Sequence, residues 1–226
     1  MKDSFKIRGV VEVLCTKGKP EILPKGNRLV LPEKHPSSEF YKITPHYDQK
    51  CVITPKNGTV IDHFIKENII LYTGKNRIID SLDTGFMRLI GRMAIGDRGT
   101  IPSDSTSPKA PTADMTMLYN EVFRTDIQLI SKTMGAGTHD IQFVNTFSAL
   151  DVPLSSMSDQ TNPKINEVAL IMVDGISGAP LPRGPVFFPN VSAADEELFS
   201  IRTFKSVPFD QAQEIAITIR YTISVE

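Results

Sequence analysis

The sequence is poor in the features that announce a chemistry. It has no tryptophan and only two cysteines, Cys15 and Cys51, in 226 residues. Two thiols are too few for a disulfide scaffold or a zinc site. Both sit in strand-like contexts, which predicts buried, free thiols. No apolar run approaches the ~20 residues that a membrane-spanning helix needs, so no membrane segment is expected. The start, MKDSFKIRGV, lacks the apolar stretch and small-residue site of a signal peptide. Charge of one sign is also missing. With 25 Lys and Arg against 26 Asp and Glu, the formal net charge is −1, which supplies no global pull toward nucleic acid or anionic membrane.

Reactive motifs fail one by one. Gly74-Lys75-Asn76 lacks both the earlier glycine and the following Ser or Thr of a phosphate-binding loop. Gly175-Ile176-Ser177-Gly178 places its second glycine one position early for a nucleophile elbow and reads as a turn. His35, His46, His63 and His139 are scattered, without the short spacing of metal pairs. Asp97, Asp104 and Asp114 flank one loop but lack the alternating oxygen ligands of a calcium site, so solvated carboxylates are the better reading. Arg77, Arg88, Arg92 and Arg98 are balanced by acids and have no interleaved aromatics, unlike a nucleic-acid platform. The sequence therefore offers no catalytic residue, no cofactor-binding residue and no metal ligand. An enzyme is not expected, and neither a cofactor nor a nucleic-acid partner is.

What is present is punctuation and short apolar runs. Sixteen prolines and fourteen glycines suit many strands joined by loops. Ile69 to Tyr72 reads as a buried strand closed by Thr73-Gly74, with Thr73 as a helix N-cap. Ile78, Ile79, Leu82, Phe86, Leu89, Ile90 and Met93 then recur at spacings of three and four, predicting one helical face that Asp83-Thr84-Gly85 interrupts. Met93 to Gly96 is a brief strand, and Gly99 to Asp114 a long exposed loop. Strands are also predicted from about Val122 onward and over His139–Ser148, Ile165–Val173 and Leu198–Val207, with Pro180 to Asn190 a loop. Strongest of all is the end of the chain. There Ile215, Ile217, Ile219, Tyr221, Ile223 and Val225 alternate with Ala216, Thr218, Arg220, Thr222 and Ser224. About a dozen residues of period two span roughly 40 Å, long enough to line a substantial sheet.

The predicted fold is mainly β: an antiparallel β-sandwich over 67–226 with one short helix near 75–90, preceded by an N-terminal β-hairpin and loop region over 1–66. Glu121 and Glu167 lie inside apolar strand-like runs. If buried they need partners, and Arg124 or Arg77 can supply structural ion pairs; otherwise both point outward from half-buried strands. Leu29 and Leu31 in the first hairpins, and Phe187-Phe188 in the proline loop, are apolar groups on loops. Such groups are costly to expose, which makes them candidate assembly contacts.

Several ordered pieces resemble a known family. ENIILYTGKNRIIDSL, MAIGDRGT with its proline-rich loop, LYNEVFR, INEVALIMVDG, LFSIRTFKSVPF and EIAITIRYTISV follow one another from Glu67 to the end. Together they resemble tailed-bacteriophage virion structural proteins of the tail, collar and fibre-attachment kind. Residues 24–66 depart from that pattern as an apparent insertion. The resemblance implies a structural adaptor in the tail, neck or collar, or fibre-attachment region. It would assemble as a homo-oligomer with other virion proteins in the host cytoplasm, where thiols stay reduced, and would reside in the virion. The alternatives are a receptor- or glycan-binding sandwich of a tail fibre or baseplate, for which Tyr41, Tyr47, Phe187 and Phe188 are the only candidate loop aromatics, and a depolymerase, for which no spacing singles out a carboxylate pair.

Overall fold

The structure, a computed structural model, describes residues 7–24, 28–29, 46–47, 51–54, 59–84, 88–134, 139–174 and 196–225. Among the described residues it is mainly β, with largely antiparallel sheets (β-strand pairing is parallel only between 46–47 and 130–131) and one α-helix, a β-sandwich-like class, and no closed barrel forms. In chain order the strands begin with β1 (Ile7–Lys17), β2 (Glu21–Pro24), β3 (Arg28–Leu29), β4 (His46–Tyr47), β5 (Cys51–Thr54), β6 (Val60–Glu67) and β7 (Ile69–Ile70). Helix α1 (Tyr72–Thr84) precedes β8 (Arg88–Gly96), β9 (Thr100–Ile101), β10 (Asp104–Pro108), β11 (Glu121–Asp126), β12 (Leu129–Met134) and β13 (His139–Ser148). A single 3-10 turn, Leu154–Ser156, leads to β14 (Lys164–Asp174), β15 (Glu197–Pro208) and β16 (Ile215–Val225).

The chain forms two compact units, one of residues 1–67, 127–148 and 216–226, the other of 68–126 and 149–215. The chain crosses between the units near residues 67, 126, 148 and 215.

The first unit holds a seven-stranded sheet in the order β3-β4-β12-β13-β16-β1-β6 and a separate β2-β5 pair. The alternation read in the last strand explains its place inside that sheet. Ile219, Tyr221 and Ile223 are buried while Arg220, Thr222 and Ser224 are only partly so. Across the β13–β16 ladder Phe143 faces Tyr221 and Phe147 faces Ile217, the apolar cross-strand pairs that stabilise a sheet. The alternate positions carry polar pairs: Thr146 and Thr218 share a 2.9 Å hydroxyl contact, and Gln142 links Ser131 to Thr222. Val11, Val13 and Cys15 of β1 are wholly buried. Cys15 forms no disulfide, as the sequence predicts. Burial, helped by Asp62, pushes its thiol up to about 12, so it stays neutral. The side chain of Cys51 lies outside the described residues.

The second unit holds a five-stranded sheet in the order β11-β8-β14-β15-β7, the β9-β10 hairpin and α1. β14 is the central strand that its continuous apolar run implies, buried on both faces from Val168 to Val173. Ala169 and Ile171 join Leu71, Ala94, Leu118, Leu198 and Ile201 in one apolar cluster.

The structure departs from three expectations. The helical face does not run on to Met93: α1 ends at Thr84, and Leu89, Ile90 and Met93 belong to β8. β8 pairs with both β11 and β14, and that ladder outweighs the helical spacing. Thr73 is not the N-cap, because α1 begins at Tyr72 and the Thr73 hydroxyl donates to the Leu198 carbonyl at 2.6 Å. The stretch from Gly99 to Asp114 is not wholly loop, since it contains the exposed β9-β10 hairpin.

Candidate functional site

Two constellations of charged side chains stand out, both in the second unit. The first is built around Glu167, near the start of β14. Its position is set by register: Glu167 lies opposite Gly96 of β8 on one side and Thr203 of β15 on the other. Gly96 must be glycine for that to hold, because a Cβ there would lie 2.5 Å from Glu167 Oε1 and 2.4 Å from the Asn120 carbonyl. The carboxylate, fully buried, collects backbone amides from the two segments packed over it. Arg98 N and Asn120 N donate to Oε1 at 3.2 and 2.9 Å, and Tyr119 N donates to Oε2 at 2.8 Å. Burial pushes the Glu167 carboxyl up, and the three amides pull it back toward the anion.

Its neighbour Asn166 continues the clasp. Asn166 Oδ1 accepts Gly99 N at 2.6 Å, and Nδ2 donates to the Asp97 carbonyl and to the hydroxyls of Thr100 and Ser206 at 3.1–3.2 Å. Asp97 then gathers Asn120 Nδ2 at 2.7 Å and both the amide and the hydroxyl of Ser158 at 2.5 and 3.0 Å. Lys109 closes the rim, donating to the Arg98 carbonyl at 2.6 Å while its ammonium lies 4.4 Å from the centre of the Tyr119 ring. Every oxygen of Glu167 is thus taken by a main-chain donor. The arrangement fastens loops to a strand.

The second constellation is an ion network at the β8–β11 edge. Arg92 is 2% exposed and Arg124 5%, so each guanidinium demands compensation. Glu196 bridges them, one carboxylate oxygen accepting from Arg92 Nη1 and the other from Arg124 Nη1. Arg124 also grips Glu121 with its fork, Nη2 to Oε2 at 2.7 Å and Nε to Oε1, and Arg92 Nε reaches Asp126 at 3.0 Å. Burial raises the Glu121 carboxyl, opposed by the Arg124 hydrogen bonds.

The structure thus brings Glu121 and Arg124 together, while Glu167 is held by amides rather than by an arginine. Arg77 goes elsewhere. It meets Glu197 through two hydrogen bonds at 2.8 and 2.9 Å and Asp80 at 3.1 Å, in an open recess of about 320 Å³ beside α1. Glu196 was not singled out in the sequence. Its arginines lie 104 and 72 residues away, and no local pattern marks such a partner. Leu29 lies in β3, its backbone opposite His46, whereas Leu31, Phe187 and Phe188 lie outside the described residues. Among the described residues no group of three or more His, Cys, Asp or Glu side chains is placed to hold a metal ion. Asp104, of the loop trio, takes Thr106 N and the hydroxyls of Thr106 and Ser107, which hold its carboxyl down at about 2. In comparisons with known proteins, no protein family, no curated protein and no solved structure matches this chain.

Proposed function

We propose that this chain is a structural component of a tailed-bacteriophage virion, an adaptor of the tail, neck or collar, or fibre-attachment region that works by assembling with other virion proteins and with copies of itself, without catalytic turnover. The observation that carries the reading is the Glu167–Asn166 clasp. Four of the stretches that resemble virion proteins meet in it: INEVALIMVDG supplies Asn166 and Glu167, MAIGDRGT supplies Gly96 to Thr100, LYNEVFR supplies Tyr119 and Asn120, and LFSIRTFKSVPF supplies Ser206. The ordered pieces are therefore parts of one physical joint. A second piece of support is how buried charge is spent. Glu121, Glu167 and Glu196 all serve internal partners, as suits a part whose task is to hold shape under load.

The test is made on particles. Virions of a phage that encodes this chain, purified by density gradient, should contain its peptides by mass spectrometry at a fixed copy number. Antibody–gold should mark the tail, neck or fibre base. A chain abundant in the lysate but missing from purified particles would overturn the proposal.

A further inference from the structure

The outer strand of the seven-stranded sheet is unlike the others. Among the described residues β6 has a single neighbour, β1, and forms one end of the sheet. It is eight residues long, and it leaves Val60, Ile61 and Ile65 exposed at 47, 42 and 57%. A long edge strand carrying apolar side chains in water is a template for another strand, which proteins ordinarily shorten, cover or charge. A bulge near Cys15 and Thr16 shifts the register at Ile61, and bulges favour such edges. From Asp62 onward the strand is regular: Asp62, Phe64 and Lys66 lie opposite Cys15, Val13 and Val11, on the core side of the sheet.

That triplet, acid–aromatic–base, is self-complementary when reversed. Pairing β6 antiparallel with a second β6 so that the sheet continues with its core side on one face requires the two-fold axis to pass through a residue. Centred on Phe64, the pairing sets Phe64 against Phe64 and Asp62 against Lys66 twice. Centred on His63 it sets Asp62 against Phe64, and centred on Ile65 it sets Phe64 against Lys66. Only the Phe64 register matches apolar with apolar and acid with base on that face. In that register His63 meets Ile65 on the opposite side. There Glu12 already accepts from Arg220 and contacts His63 Nε2 at 2.8 Å, so the acid beside the joint is compensated. The Asp62 carboxylate that would receive Lys66 now accepts the His63 amide at 2.9 Å.

We infer that β6 is a homotypic docking strand: two copies of this chain join edge to edge, antiparallel about Phe64, with reciprocal Asp62–Lys66 pairs. The inference rests on the self-assembly part of the proposed function and names the surface that carries it, an isologous contact.

Sedimentation velocity of the full chain across micromolar concentrations tests it. The unaltered protein should associate into dimers or multiples of them. Asp62→Lys and Lys66→Asp each place like charges at both symmetric contacts, and each should weaken association by about tenfold or more. The exchanged double variant, D62K/K66D, should recover it. An equimolar mixture of the two single variants should form a mixed dimer, because each strand then carries the sign the other lacks. Far-UV circular dichroism matching the unaltered protein shows that the variants still fold. The inference is overturned if the unaltered protein is monomeric, if the single variants associate as it does, or if neither the exchange nor the mixture restores association. Any of these can occur while the chain is still found in purified particles, so this result and the virion test fail separately.

Discussion

At the scale of single residues, Glu167 ties two segments to the start of β14. It sits where three main-chain donors converge from two segments, and its reach is possible because Gly96 leaves room. Replacement by glutamine keeps the shape but gives up the negative charge and turns one acceptor into a donor. If the amide nitrogen takes the Oε2 position it faces Tyr119 N, and if it takes the Oε1 position it faces two amides. Either way a buried donor is left without an acceptor, a loss of about 2–3 kcal/mol. Urea unfolding of Glu167→Gln should therefore show a midpoint well below that of the unaltered chain with an unchanged slope. A midpoint within error of the original would show that the clasp contributes little. Sequence alone marked Glu167 as a carboxylate in an apolar run and left open an arginine partner or an outward-facing side chain. Backbone amides leave no residue-type signature, so reading side chains could not find them.

At the scale of elements, α1 is fastened at its first turns. Leu71 N donates to the Phe199 carbonyl at 3.0 Å and Tyr72 N to the Ala113 carbonyl at 2.8 Å, followed by the Thr73 hydroxyl on Leu198 and the two Arg77–Glu197 bonds. Gly74 lets the helix come this close to β15. A Cβ there would lie 2.5 Å from the Phe199 carbonyl oxygen and 2.9 Å from its ring. Alanine is the better helix former by about 1 kcal/mol, but the clash is with main chain and cannot be relieved by a rotamer change. Overpacking of this kind costs about 1–3 kcal/mol, so Gly74→Ala should lower the thermal midpoint; a raised midpoint would mean that propensity wins. The end of α1 was the element least legible in the sequence. Leu89, Ile90 and Met93 keep helical spacing, yet their backbones are claimed by neighbours on both sides of β8.

At the scale of the whole molecule, chain order and spatial order diverge. β16, the last strand, lies between β13 and β1, the first, so the seven-stranded sheet needs both ends of the chain. A fragment beginning at residue 68 keeps every strand of the second unit but removes β1 to β6 from the first. It would open a new edge along β16, where Ile217, Ile219 and Tyr221 are fully buried in the intact chain. Such a fragment should aggregate or bind an apolar dye, and supplying residues 1–67 in trans should reduce that. A soluble fragment with native-like exchange protection over residues 215–225 would show that the sheet stands without its first strand.

Sequence by itself determined the class of the molecule and the faces of its clearest strands. Period-two alternation at 219–224 and the unbroken apolar run at 168–173 are local properties, and burial of one face or both follows from them directly, whereas Ala216 and Thr218 are buried although they lie on the polar face of their strand. It also determined that Cys15 would be a buried thiol outside any disulfide. Only the tertiary structure decided which strands neighbour one another, that Glu196 would lie between Arg92 and Arg124, and that Glu167 would be closed over by amides of residues 98, 119 and 120. The physical reason is range. Periodicity is imposed within a few residues by backbone geometry, whereas a buried carboxylate takes whichever donors the sheet order brings to it from tens of residues away.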